Sequence, residues 1–166
     1  MRVQVRITLP EALRAPIDAL RMRWNPEVAA GNPAHATLIY HDEAPDPELL
    51  QLRVEAACEI TAPFRVELGR AAEFRHPAAG AFLKLADPAE AVRSLRRQVL
   101  EAPFQARARF GLHVTLLHPA QGARLAEAWP AFAALESPGP FLVEAIDLIA
   151  GAGREILTHT RLALRG

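Results

Sequence analysis

Cysteine is nearly absent from this chain of 166 residues, and its scarcity excludes one class of protein. The single cysteine, Cys58, cannot form an internal disulfide, so a small disulfide-stapled secreted domain is excluded. The apolar residues around Cys58 predict an inert, buried thiol in a protein from a reducing compartment.

Long hydrophobic runs and an excess of charge of one sign are also missing. No segment approaches the roughly 20 apolar residues of a membrane span, and residues 2–9 alternate polar and apolar side chains, which predicts a strand rather than a signal peptide. The 19 basic residues balance 19 acidic ones, so no net field draws the chain to long nucleic acid or to an anionic membrane. We therefore expect a cytoplasmic monomer with no membrane contact and no obligate protein partner.

What the sequence does contain is a short motif that occurs twice. His35 and Thr37 lie in the run HATLIY, and the pattern returns seventy-eight positions later as His113 and Thr115 in HVTLLH. Both runs are apolar and prone to form strands, in which residues i and i+2 project from the same face. Each copy therefore presents one imidazole and one hydroxyl side by side.

Two such pairs across a cleft suit metal-independent chemistry at a phosphodiester. One imidazole takes a proton and the other gives one, because the ordinary pKa of histidine, about 6.5, keeps both forms available near neutrality. The hydroxyls of Thr37 and Thr115 would hold the phosphoryl oxygens.

Other features repeat at almost the same spacing. The segment PFRVE at residues 63–67 returns as PFLVE at residues 140–144, and Pro10 and Pro88 each follow an alternating segment. These spacings indicate a single domain built from duplicated halves, about residues 1–78 and 79–166, with the two motif strands meeting at a central cleft.

Hydrophobic periodicity, together with proline and glycine positions, predicts β-α-β-α-β in each half plus one terminal strand. Asp46 is predicted to cap a helix, and residues 87–90 look like a capping-box start for another. Predicted strands cover residues 3–9, 35–40, 64–69, 81–86, 113–118, 141–150 and 154–164; predicted helices cover 10–23, 47–57, 88–100 and 123–135; predicted loops include 24–33 and 71–80. The fold class is α+β and bilobal, with two mainly antiparallel sheets lining the cleft and helices outside.

These residues resemble the 2H phosphoesterase superfamily, and within it the bacterial 2′-5′ RNA ligase-like group, also called RNA 2′,3′-cyclic phosphodiesterases. The resemblance implies that His35 and His113 are catalytic and that Thr37 and Thr115 contact phosphate. It also implies a 2′-phosphate product. The family commonly has an arginine five residues after the second motif histidine, where this chain has His118.

His118 is a weaker candidate for phosphate binding, because strict strand alternation would turn it away from His113 unless a bulge or the following proline redirects it. Trp24 and Arg75 lie in predicted loops and are candidates for the cleft rim, where an aromatic ring or a guanidinium could stack on a base. Core packing is the alternative interpretation of Trp24.

Zinc is the main chemical competitor, since His35, His41, His113 and His118 could converge. Zinc sites usually enlist cysteine or carboxylates, and neither motif has an adjacent acidic ligand outside a loop, so we expect no metal and no cofactor.

The resulting prediction is a metal-independent phosphodiesterase that acts on a 2′,3′-cyclic phosphate at an RNA terminus or on a nucleotide. The alternatives are 2′-5′ RNA ligation, another cyclic phosphate substrate, and a non-catalytic module that binds RNA or nucleotides. The sequence alone leaves open which histidine is the base.

Overall fold

The computed structural model describes residues 2–74, 78–136, 139–152 and 155–166. Strands and helices alternate along most of the chain, as the sequence predicts. The elements are β1 (Arg2–Thr8), α1 (Glu11–Trp24), α2 (Pro26–Ala29), β2 (His35–Ile39), α3 (Pro47–Ile60), β3 (Phe64–Phe74), β4 (Gly80–Ala86), α4 (Ala91–Val99), β5 (His113–Leu117), a 3₁₀ helix (Pro119–Arg124), α5 (Leu125–Ala133), β6 (Gly139–Val143), β7 (Ala145–Ala152) and β8 (Glu155–Ala163).

The described strands form one sheet in the order β6-β3-β4-β5-β2-β1-β7-β8, and every pairing is antiparallel. The α+β class is confirmed, but the expectation of two separate sheets is wrong. The two motif strands, β2 and β5, pair through Ala36 and Val114 and so join two four-stranded groups into one sheet.

Each four-stranded group contains strands from both halves of the sequence. The strand β3 pairs with β4 and β6, while β7 pairs with β1 and β8. The two similar Pro-Phe segments are therefore direct neighbours, with Phe64 opposite Val143 and Val66 opposite Phe141. Counted outward from the junction of β5 and β2, the strand at the position equivalent to β3 is β7, not β6. The Pro-Phe repeat therefore does not mark equivalent strands.

Local signals fix several helix starts. The Asp46 carboxylate accepts hydrogen bonds from the backbone N–H groups of Glu48 and Leu49, both at 3.1 Å, as predicted for an N-cap. The later helix begins at Ala91 rather than at residue 88. Asp87 still caps it, by accepting from the N–H groups of Ala91 and Val92, but Glu90 adopts a left-handed φ of 53° and makes no capping bond.

Other boundaries also differ from the prediction. The strand β3 continues to Phe74 because residues 71–74 pair with β4, although this stretch is predicted as a loop. The single strand predicted over residues 141–150 is two strands, which separate at Glu144. Residues 24–33 contain the short helix α2, and α1 runs through Pro16 without a break.

Apolar side chains alternate with the motif residues, and this alternation positions the site. Leu38 and Leu116 are fully buried, as are Ala36 and Val114, whereas the motif histidines and threonines between them are partly exposed. Cys58 is buried, and burial, with the charges of nearby glutamates, raises the pKa of its thiol to about 11, consistent with an inert role. Among the described residues, no helix is both long enough and apolar enough to cross a membrane.

Candidate functional site

Four motif side chains share one patch of the sheet, at the junction of its two halves. Because Ala36 pairs with Val114 in an antiparallel ladder, His35 stands opposite Thr115 and Thr37 opposite His113. Residues directly opposite each other have Cβ atoms about 5 Å apart, and diagonal neighbours about 7–8 Å apart. The two histidines occupy one diagonal, which leaves space between the imidazoles for a group the size of a phosphoryl.

The two imidazoles are held in the same way. The Nδ1 of His35 lies 2.7 Å from the carbonyl oxygen of Pro33, and the Nδ1 of His113 lies 2.8 Å from that of Gly111. A carbonyl oxygen can only accept, so each Nδ1 carries the proton and donates it. In both rings this leaves Nε2 as the nitrogen that can exchange a proton with a substrate.

His35 is set among buried charges. Burial, reinforced by the positive charges of Arg6 and Arg21, lowers the pKa of His35 to about 4, although the hydrogen bond to Pro33 and the charge of Asp18 act in the opposite direction. At neutral pH the imidazole is therefore uncharged, and its Nε2 is a free proton acceptor.

The loop that leads into His35 is fixed from two sides. Arg21 on α1 donates through one Nη atom to Asp18 at 2.8 Å and to the Asn32 carbonyl at 2.9 Å, and the same Asp18 oxygen accepts from the Ala34 N–H at 2.8 Å. From β1, Arg6 donates to the Asn32 side chain at 3.0 Å. These bonds set the position of the residue just before His35.

His113 has more aromatic surroundings. The rings of Phe74 and Phe82 approach its imidazole edge-on, with centroids 5.3 and 5.6 Å away. Lys84 stands opposite His113 on β4 and is exposed. The two histidines thus share a tautomer but differ in environment.

All four motif residues line one cleft of about 340 Å³, referred to below as the central cleft. His118 lines it too, because β5 ends at Leu117 and strand alternation no longer determines where His118 points. The other lining residues are Gln4, Arg21, Val28, Asn32, Tyr40, Phe74 and Pro119.

His118 also caps the 3₁₀ helix that follows. Its Nδ1 accepts a hydrogen bond from the Ala120 N–H at 3.1 Å, so in this arrangement Nδ1 carries no proton and Nε2–H is the free donor. A phosphate contact from His118 would therefore be made through Nε2–H. That contact stays a prediction.

Of the predicted rim residues, Trp24 is placed elsewhere. Its side chain is buried in the hydrophobic core, 5% exposed, with the guanidinium groups of Arg23 and Arg124 about 5 Å from the ring centroid. The helix α1 extends to Trp24 and turns the ring inward, so its assignment to the rim is wrong. Arg75 lies outside the described residues.

Within the described ranges, no group of three or more histidine, cysteine, aspartate or glutamate side chains is arranged to bind an ion. Of the four histidines considered for zinc, His41 lines an adjacent pocket rather than the central cleft.

Sequence reasoning missed two buried cations beside His35. Arg6 and Arg21 are 3% and 2% exposed, and the Nε atom of each is buried with no hydrogen-bond partner among the described residues. In the sequence, Arg6 lies on the polar face of an alternating strand, which is usually the solvated face. Pairing of β1 with a motif strand would have indicated that Arg6 lies beside the site. In the structure β1 pairs with β2, and Arg6 stands opposite Thr37.

Comparisons with solved structures find the same fold at low sequence identity. The protein TT0787 of Thermus thermophilus matches with a TM-score of 0.62 and 21% identity over 100% of this chain and 99% of that one. E. coli LigT complexed with 3′-AMP matches with 0.61 and 22% over 97% of both chains, and Kluyveromyces marxianus Usb1 with 0.55 and 13% over 98% and 97%. A search of curated protein sequences found no match.

The sequence profile of one family spans most of the chain. It covers residues 9–155, which include both motif strands and the cleft residues on α1. The chain belongs to the 2′-5′ RNA ligase superfamily.

Proposed function

We propose that the protein is a metal-independent phosphodiesterase that hydrolyses 2′,3′-cyclic phosphates of RNA termini or nucleotides. The observation that supports this most strongly is the diagonal pair of imidazoles, His35 and His113, each with Nδ1 bonded to a backbone carbonyl and Nε2 available. Phosphate or nucleotide binding alone would not require two such histidines.

His35 acts as the general base. Its lowered pKa keeps it neutral near pH 7, so its Nε2 can take a proton from water as the water oxygen attacks phosphorus. The general acid must then be the other imidazole, His113. Its Nε2–H donates a proton to the departing ribose oxygen; for a 2′-phosphate product, the P–O3′ bond breaks and O3′ receives that proton.

The extra negative charge of the transition state is balanced by groups around the cleft. The Thr37 and Thr115 hydroxyls donate to phosphoryl oxygens, as preorganised dipoles do in oxyanion sites. Arg21 lines the same cleft, and Arg6 adds a second positive charge behind Thr37. These buried guanidinium groups, rather than an arginine at position 118, supply the permanent positive charge.

Two complexes of one relative support this class of ligand. E. coli LigT, which shares the fold, has been solved in complex with 3′-AMP and in complex with phosphate. A nucleotide carrying a phosphate on its ribose is the ligand that a two-histidine cleft of about 340 Å³ would accept here.

The test is turnover of a nucleoside 2′,3′-cyclic phosphate in excess EDTA, with the product identified by ³¹P NMR. We expect hydrolysis that the chelator does not diminish, and a 2′-phosphate product. Activity that disappears with EDTA and returns with zinc would contradict the metal-free mechanism.

The family description favours one further reaction, 2′-5′ ligation. Ligation uses the same groups in the same order, with the 5′-hydroxyl in place of water: His35 takes its proton as the 5′ oxygen attacks phosphorus, the P–O3′ bond breaks, and His113 protonates O3′. Oligonucleotide halves, one ending in a cyclic phosphate and one in a free 5′-hydroxyl, distinguish the two reactions. Binding of a nucleotide without either reaction would instead indicate a non-catalytic module.

A further inference from the structure

A second cavity lies beside the central cleft, along β1. This cavity, the side pocket, has a volume of about 270 Å³ and shares Gln4, Val28 and Asn32 with the central cleft. The two cavities are therefore adjacent, and a substrate that extends beyond the central cleft would reach the side pocket. The mechanism above uses no group in the side pocket.

The side pocket has the chemistry of an anion site. Arg2 and His41 line it, both are exposed, and no lining residue in the described part of the chain carries a carboxylate. The Arg2 guanidinium has no hydrogen bond or ion pair with the described residues, so it is available to a ligand. Ile149 and Ile156 add apolar surface to the lining.

Geometry separates this anion site from the one that holds the reacting phosphate. Arg6 stands opposite Thr37 in the central cleft, and Arg2 lies four residues earlier on the same strand. At about 3.3 Å per residue, the two backbone positions are roughly 13 Å apart. A single phosphoryl group cannot reach both positions, whereas a substrate with a second phosphate can.

We propose that the side pocket binds the phosphate that joins the terminal nucleotide to its 5′ neighbour. The preferred substrate is then the cyclic-phosphate end of an oligonucleotide, with Arg2 as the main ligand of the second phosphate and His41 as an additional donor. This inference rests on the proposed function, because it takes the reacting phosphate to lie between His35 and His113.

The experiment compares a 2′,3′-cyclic mononucleotide with a dinucleotide that ends in a 2′,3′-cyclic phosphate, at low salt. In Arg2→Gln we expect kcat/KM for the dinucleotide to fall about 3- to 10-fold, as for loss of one exposed phosphate contact, while the mononucleotide value stays unchanged. Added salt should reduce the wild-type preference for the dinucleotide. Arg65→Gln is the matched control, since it removes the same charge from an exposed strand position that lines neither cavity, and it should change neither value.

Equal kcat/KM for the two substrates in the wild-type protein would overturn the proposal, as would an equal loss on both substrates in Arg2→Gln. Binding supplies a readout that does not need turnover. We expect calorimetry to show tighter binding of a 3′-phosphorylated dinucleotide than of a nucleoside 3′-monophosphate, and Arg2→Gln should abolish the difference. If neither cyclic substrate reacts but this difference is found, the proposed reaction fails and the side pocket assignment stands; if the difference is absent, the assignment fails.

Discussion

Replacing His35 or His113 with alanine is expected to lower kcat for a 2′,3′-cyclic nucleotide by roughly 10²–10⁴-fold, the usual range for the loss of one general acid or base. In the proposed mechanism, either substitution removes one of the two proton transfers and leaves the threonines and the buried arginines in place. Because the two imidazoles act as a unit, the double variant should lose little more than either single one. Steady-state kinetics on variants whose circular dichroism matches the wild type provide the measurement.

Substitutions at Thr37 supply the comparison. Thr37→Val keeps the shape but removes the hydroxyl, so it should lower kcat by less than either histidine variant, whereas Thr37→Ser keeps the hydroxyl and should remain close to wild type. Turnover near the wild-type rate in a folded His35→Ala or His113→Ala protein would mean that the active site lies elsewhere.

Replacing Glu43 with alanine is expected to destabilise the fold by about 3–5 kcal/mol, as when one partner of a buried ion pair is removed. Glu43 is 1% exposed, and its carboxylate accepts from Arg96 at 2.6 and 3.1 Å and from the backbone N–H groups of Tyr40 and Arg107 at 2.9 and 2.8 Å. Burial would raise the pKa of Glu43, but these hydrogen bonds lower it by more, so the side chain is charged near pH 7. Without it, the buried Arg96 guanidinium loses its counter-charge.

Asp42 is the matched control next in the chain. Its carboxylate pairs with Arg107 at 2.7 Å, but both side chains are well exposed, and such pairs contribute less than about 1 kcal/mol. Urea unfolding of Glu43→Ala and Asp42→Ala gives the comparison. A loss in Glu43→Ala no larger than in Asp42→Ala would contradict the role assigned to the buried pair.

The grouping of the motif residues could be predicted from the sequence, because the His-x-Thr pattern lies within single strands. The period-two alternation of a strand fixes which residues share a face, so His35 and Thr37 are found together, and the same holds for His113 and Thr115. The helix cap at Asp46 was predictable for the same reason, since it depends only on the next three residues.

What the sequence missed depends on contacts between distant segments. Whether β2 and β5 pair decides between one sheet and two, and no local pattern encodes that pairing. Arg6 has the alternation of a solvent-facing residue but is buried, and its guanidinium bonds to Asn32, which lies far along the chain in the loop before β2. The predicted helix ends at residue 23, one residue before Trp24. The direction of the Trp24 side chain depends on the extension of α1 to include it.

The role proposed for His35 is that of a neutral base whose proton affinity is reduced by burial and by Arg6. The pH dependence of kcat/KM tests it most directly, because this profile reports the essential groups of the free enzyme. We predict an acid limb near pH 4, which moves to higher pH in Arg6→Gln because the positive charge that lowers the pKa of His35 is gone. An acid limb near the ordinary histidine value of about 6.5, unmoved by Arg6→Gln, would contradict the account.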